Sequence, residues 1–301
     1  MSKIAYISKK FSPGSLQVIE SANKIISNYQ TQGLLLTLRQ LYYRFVAAGL
    51  ISNQLSEYKR LSSIINNGRL AGLIDWESIE DRGRNLNRIS AWENPGDIIR
   101  SCAYSYAIDL WADQEYRVEV WVEKQALEAV IKNAASGLSV PSYACKGYMS
   151  QSEMWRAAQR LLHWQEQGYT PVIIHLGDHD PSGIDMTRDI HDRLELFDIS
   201  MKVNRIALNM DQVQQYNPPP NPAKLTDSRV KGYIASYGRD SWELDALEPS
   251  VLHELIQDTI KEYLDQSTYD VLLVQQEKER ELLEKTADEW NSVTTYLSNK
   301  K

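Results

Sequence analysis

Residues 171–185 read PVIIHLGDHDPSGID, and this stretch decides the fold. Pro171–Leu176 is a short, almost continuously apolar run of strand length. Gly177 ends it, carboxylates follow at Asp178 and Asp180, and the Pro181-Ser182-Gly183 turn leads into a helical stretch, Ile184–Leu194. Working outward, Val118–Val122 is a β-rich run ending at Glu123, and Ala126–Ala135 is helical. Ser139–Ala144 reads as a second short strand, Ser152–Gln167 as a long amphipathic helix, and Met201–Leu208 as a fourth strand. Strands alternating with helices of this length predict an α/β fold with a parallel sheet and crossover connections. Asn217–Pro222 reads as a rigid extended loop, and the chain from Pro249 onward as helical and rich in charge.

In an open parallel sheet, ligands sit beyond the carboxyl ends of the strands. Two such ends carry acids here: Glu123 after VEVWV, and Asp178 with Asp180 after PVIIHL. Residues two apart in extended chain point the same way, so Asp178 and Asp180 can share one ion. Three carboxylates with water and phosphate oxygens form the hard, octahedral surroundings that magnesium prefers. A lone strand-end acid more often caps a helix or faces solvent, and it is the combination that favours a metal. Lys124 is placed to meet a phosphate. His175 and His179 are expected to serve packing or support rather than ligation.

The first hundred residues read differently. Ser15–Tyr29 has helical periodicity, a second helix starts at Thr37 as N-cap and runs to about Ala48, and a third covers Glu57–Leu70. Ile74–Arg88 is short, mixed and charged, as a wing would be, so three helices plus this segment predict a winged-helix module. Asn94-Pro95-Gly96-Asp97 is a turn and a plausible boundary. In the second helix Leu38, Leu41, Tyr42 and Phe45 cluster on one face, which buries Tyr42. Tyr43 falls on another face, one turn after Arg39. A phenol beside a guanidinium suits attack on a phosphodiester, because the cation holds the phosphate, favours phenolate and stabilises developing charge. Such attack leaves a covalent phosphotyrosyl intermediate.

Two motif sets in this order resemble a known family. VEVWVEKQAL, CKGYMS and DHDPSGID look like a Toprim domain, and with KGY upstream and WELDAL at 242–247 they are most similar to the A subunit of topoisomerase VI. The family's tyrosine motif, T-x-R-x-[LI]-Y-Y, is matched by Thr37-Leu38-Arg39-Gln40-Leu41-Tyr42-Tyr43. The resemblance covers roughly residues 30–250, and with the change of rhythm after about residue 105 it leads to the expectation of a winged-helix domain over 1–105 and a Toprim domain with C-terminal helices over 106–301. It implies Tyr43 as nucleophile, Arg39 as phosphate support, Glu123, Asp178 and Asp180 as Mg2+ ligands, and Asp185 as a helper. It further implies a homodimer in which one protomer's tyrosine works with the other's metal site, and a 5′-phosphotyrosyl link to double-stranded DNA. Gln40 stands where the family commonly has Asp, and the chain is shorter than a full A subunit, as in stand-alone Mini-A forms.

Charge distribution agrees with a DNA partner for the front module. Residues 1–100 hold 13 Lys+Arg against 8 Asp+Glu, a net of +5, while the remainder holds 20 against 32, a net of −12. Lys59, Arg60, Arg69, Arg82, Arg84 and Arg88 are the basic candidates around the third helix and wing, with Lys124 and Lys146 from the rear module. The chain has no GxxxxGK[ST] phosphate loop, so ATP-driven strand passage would need a separate ATPase B-type subunit. Two cysteines, Cys102 and Cys145, cannot supply a primase-type zinc module. No apolar run approaches a membrane span and MSKIAYISKK lacks a secretory pattern, so a cytoplasmic, nucleoid-associated protein is expected. The competing readings are a Toprim nuclease that uses water and a non-catalytic DNA-binding protein.

Overall fold

The computed structural model describes residues 3–31, 35–80 and 91–300. The chain opens with α1 (Pro13–Gln30), capped by the Ser12 side chain with Pro13 at its first position. Ile19, Ala22, Ile26 and Tyr29 form its buried stripe. Then come β1 (Leu36–Thr37), α2 (Leu38–Ala47), α3 (Leu55–Leu70) and β2 (Ile79–Glu80). Thr37 caps α2 as expected, and Gln40 explains itself here: its side chain reaches back to the Thr37 backbone N–H at 2.9 Å, completing a capping box. Strands β1 and β2 pair in parallel, a contact the periodicity did not reveal. The rest of the expected wing, with Arg82, Arg84 and Arg88, lies outside the described residues.

Asn94-Pro95 begins a helix, α4 (Pro95–Ser105), instead of forming only a turn. Asn94 accepts from the Asp97 backbone N–H at 3.1 Å, and Pro95 occupies the first helical position, where its missing N–H costs nothing.

Next follow β3 (Tyr116–Val122), a 3-10 turn at Gln125–Leu127, α5 (Glu128–Ser136), β4 (Ser142–Ala144) and α6 (Gln151–Glu166). The chain continues through β5 (Thr170–Leu176), α7 (Pro181–Glu195) and β6 (Lys202–Ala207). The four strands form one parallel sheet in the order β4-β3-β5-β6. Helices cover both faces. Val118, Val120 and Val122 of β3 and Val172, Ile174 and Leu176 of β5 pack with α5 and with a later helix carrying Leu252, Ile256 and Ile260. Trp121 and Ile173 point the other way, onto Met154, Ala158 and Leu161 of α6 and Met186 and Ile190 of α7. Coverage on both faces is why these strands read as continuous apolar runs.

An excursion follows: α8 (Met210–Tyr216), β7 (Asn221–Pro222), α9 (Val230–Tyr237) and β8 (Asp240–Ser241). The expected extended loop ends in β7, paired antiparallel with β8. A bridge between His179 and Trp242 then lays the 242–245 segment against the end of β5. The chain closes with α10 (Pro249–Lys261), α11 (Gln266–Asp288) and α12 (Trp290–Ser298). Helix α4 packs along α11, where Arg100 meets Asp288 at 2.7 Å and the Gln276 side chain accepts from the Ile108 backbone N–H at 3.0 Å. No described helix is long and apolar enough to cross a membrane.

Candidate active site

Register builds the site. Val122 of β3 lies opposite Leu176 of β5, so Glu123 and Gly177 emerge side by side at the sheet's carboxyl edge. Glu123 Oε2 accepts from the Asp178 backbone N–H at 2.9 Å. Asp178 turns to the incoming 242–245 segment, where its Oδ1 accepts from the Leu244 backbone N–H at 2.8 Å. Asp180 caps α7, its Oδ1 accepting from Gly183 N–H at 2.6 Å and from Ser182 Oγ at 2.8 Å. Arg205 from β6 staples the loop by donating to the carbonyls of Gly177, Asp178 and Gly183 at 3.0, 2.7 and 2.9 Å.

The sequence reading missed two acids, Glu243 and Asp245. The signal was in view: a second pair of carboxylates two apart, in the WELDAL stretch quoted for the family resemblance. Lys124 lies at the centre, its Nζ 2.9 Å from Asp178 Oδ1, 2.9 Å from Asp245 Oδ1 and 3.0 Å from Glu243 Oε2. This corrects the view of Lys124 as a cation open to DNA. Its charge is spent on three carboxylates and its side chain is mostly buried. Although burial opposes it, attraction to Asp245, Asp178 and Glu243 holds the ammonium firmly protonated.

Helix α2 delivers the tyrosine to the same place. The Tyr43 hydroxyl donates to Glu243 Oε2 at 2.7 Å, and Arg39 Nη2 reaches that oxygen at 2.5 Å. Arg39 Nη2 is also 3.4 Å from the Tyr43 hydroxyl, and Arg39 Nε is 3.2 Å from Asp245 Oδ2. Tyr42 points elsewhere, donating to Asn53 Oδ1 at 3.0 Å. The periodicity separated the two rings correctly but not their exposure. Tyr43 is only 4 % exposed, hardly different from Tyr42 at 5 %, because the rear module covers the face that an isolated helix would leave to solvent.

Electrostatics correct a second expectation. Arg39 was expected to favour phenolate, yet burial and the carboxylates of Asp245 and Glu243 outweigh it and hold Tyr43 as a neutral phenol. Burial, reinforced by Glu123, pushes the Asp178 carboxyl up to about 7 even though Lys124 opposes the shift. Glu123 is raised as well, by burial and then by Asp180. Glu243 goes the other way. Burial opposes, but Lys124, the Tyr43 hydrogen bond and Arg39 together hold it down to about 2.

Among the described residues, no three acidic, histidine or cysteine side chains converge as a preformed metal cage. The donor chemistry nevertheless suits a hard cation. Glu123, Asp178 and Asp180 each anchor through one oxygen and leave the other without a protein donor among the described residues. Glu123 and Asp178 are also crowded and desolvated, a state that a divalent cation relieves.

The remaining candidates fall outside this cluster. Asp185 bonds Tyr148 and Arg229 at 2.7 and 2.8 Å. Lys146 is exposed on the turn before Gly147, with a positive φ of 58°. Arg60 pairs with Glu57 on its own helix at 2.7 Å. Arg69 donates to the Trp76 carbonyl and stacks on its ring. With Arg39 and Asn66, Arg69 also lines a cleft of about 520 Å³ between α2, α3 and the Gln125-Ala126 turn. His175 and His179 are buried against Thr187 and Tyr233. No protein-family model matches the chain, and no curated protein matches it.

Proposed function

We propose that this protein breaks DNA strands by transesterification, with Tyr43 as nucleophile, in the manner the resemblance to topoisomerase VI A subunits implies. One observation carries the reading: the Tyr43 hydroxyl, Arg39 and Lys124 all meet on a single Glu243 oxygen, and Lys124 continues to Asp178 at the sheet edge. The tyrosine and the acid cluster come from segments far apart in the chain, and an unbroken set of polar contacts links them.

In this reading Arg39, about half exposed, turns from Glu243 to an incoming phosphate and stabilises charge on its non-bridging oxygens. Glu123, Asp178 and Asp180 would hold Mg2+, which supplies Lewis-acid stabilisation of the phosphate and leaving oxygen. The Arg205 staple keeps the loop bearing two of these acids in place. Within one chain the phenol is linked to the acids through Glu243 and Lys124, so the dimer, like a B-type ATPase partner, is a separate part of the proposal.

A second reading, hydrolysis by water at the acid cluster, is favoured by the neutral, well-covered state of Tyr43. One experiment separates the two. Supercoiled plasmid is incubated with the protein and Mg2+, then treated with denaturant and protease. Transesterification predicts a protein–DNA adduct from wild type and none from Tyr43→Phe. Cleavage undiminished in Tyr43→Phe, with no adduct from either, would leave the water reading standing.

A further inference from the structure

We propose that Glu243 is the general base that takes the phenolic proton of Tyr43 as the hydroxyl attacks a phosphodiester. The proposal rests on the transesterase reading above and adds a catalytic residue to it. Among the described residues, Tyr43 Oη donates to a single acceptor, Glu243 Oε2 at 2.7 Å. The other basic groups nearby are engaged elsewhere: Asp245 faces Lys124 and Arg39, Asp178 bonds Leu244 and Lys124, and His175 and His179 face Thr187 and Tyr233. Glu243 Oε1 lies 3.5 Å from Asn221 Nδ2, which orients the carboxylate plane. Glu243 also opens, together with Tyr43, Arg39 and Asn53, into a cleft of about 290 Å³ through which a proton can pass to solvent.

The step balances. The Tyr43 Oη–P bond forms while the bond from phosphorus to the leaving sugar oxygen breaks. The phenolic proton moves to Glu243 Oε2, and the leaving oxygen takes a proton from water. Arg39 and Lys124 keep Glu243 ionised before the reaction, so the acceptor form is always present. An arriving phosphate competes for the half-exposed Arg39. As its guanidinium turns away, Glu243 loses part of its screening and gains proton affinity when the proton must move.

The test is the rate of covalent adduct formation on supercoiled plasmid with Mg2+, in wild type and Glu243→Gln, across pH 6–9. The amide keeps the shape and the hydrogen bond but cannot accept a proton. Without the base, the phenol must ionise to solvent, so the variant is expected to be slower by roughly 10²–10⁴-fold at pH 7. That deficit should then narrow about tenfold for each pH unit gained, the slope of a single ionisation. Arg39, Tyr43, Lys124, Asp178 and Asp245 are the charged and titratable groups around Glu243, and a variant that keeps the negative charge controls for their response to its loss. Glu243→Asp keeps a carboxylate and should show a smaller deficit that is constant with pH. A deficit in Glu243→Gln that does not change with pH marks a merely structural role and overturns the assignment, as does a wild-type rate. If Glu243→Gln fails to fold, a pH-dependent deficit in Glu243→Asp overturns it instead. A wild-type protein that forms no adduct at any pH defeats the transesterase reading itself and the base assignment with it.

Discussion

Lys124 is the residue on which the two halves of the site depend. Its ammonium is shared among Asp178, Glu243 and Asp245, and Glu243 in turn receives Tyr43 and Arg39. Removing the cation leaves three carboxylates facing one another in a poorly hydrated space. Lys124→Met is therefore expected to lower the unfolding free energy by roughly 3–5 kcal/mol. This would be read as a reduced denaturant midpoint with an unchanged slope; an unmoved midpoint would show that the ammonium does not tie the acids together. At this scale the sequence was half legible. Glu123, Asp178 and Asp180 were visible because strand ends are local, and Tyr43 was separable from Tyr42 because helical faces are local. The partners of Lys124 were not, since Glu243 and Asp245 are more than a hundred positions away.

Among the secondary-structure elements, the β5–α7 junction sets the acid geometry. Asp178, His179 and Asp180 turn so tightly into α7 that a Cβ at Gly183 would stand 2.2 Å from the Asp178 carbonyl oxygen. Gly183→Ala must displace the loop. The expected cost is about 1–3 kcal/mol of stability, with a loss of DNA adduct formation of about 10²-fold through misplacement of the acids. Wild-type adduct yield in this variant would show that the loop's position does not matter to the reaction. The need for glycine was readable as a bend, but the reason, a carbonyl two ångströms away, required coordinates. The same holds for α4. Its Asn-Pro start reads as a turn in the sequence because its packing partner, α11, lies some 170 residues further along.

Over the whole molecule, the front helices do not stand apart. Ala246, from the turn after Glu243, belongs to the core of α1–α3, and Arg44 reaches the Ala246 carbonyl and Glu248 from α2. Burial on this scale has a pH signature at His175, which is fully covered beneath the acid loop. Its ring is pushed down to about 3, by burial first and by Arg205 second. A base with a depressed folded pKa contributes stability that is complete above its unfolded value of about 6.5 and is lost as pH falls toward about 3. Wild type should lose stability across that window relative to His175→Gln, by roughly a few kcal/mol. Asp178, shifted upward, acts with the opposite sign in both proteins and cancels in the comparison. Parallel pH–stability curves would refute a neutral buried ring. The sequence by itself determined the parallel α/β core, the acids at its strand ends and the helical face that bears Tyr43, because two- and 3.6-residue periodicities are properties of neighbouring positions. Only the tertiary structure decided that Tyr43 is covered and protonated, that Lys124 is consumed by carboxylates and that Glu243 joins the two. Burial and ion pairing depend on which distant segments share a space, and no local pattern encodes that.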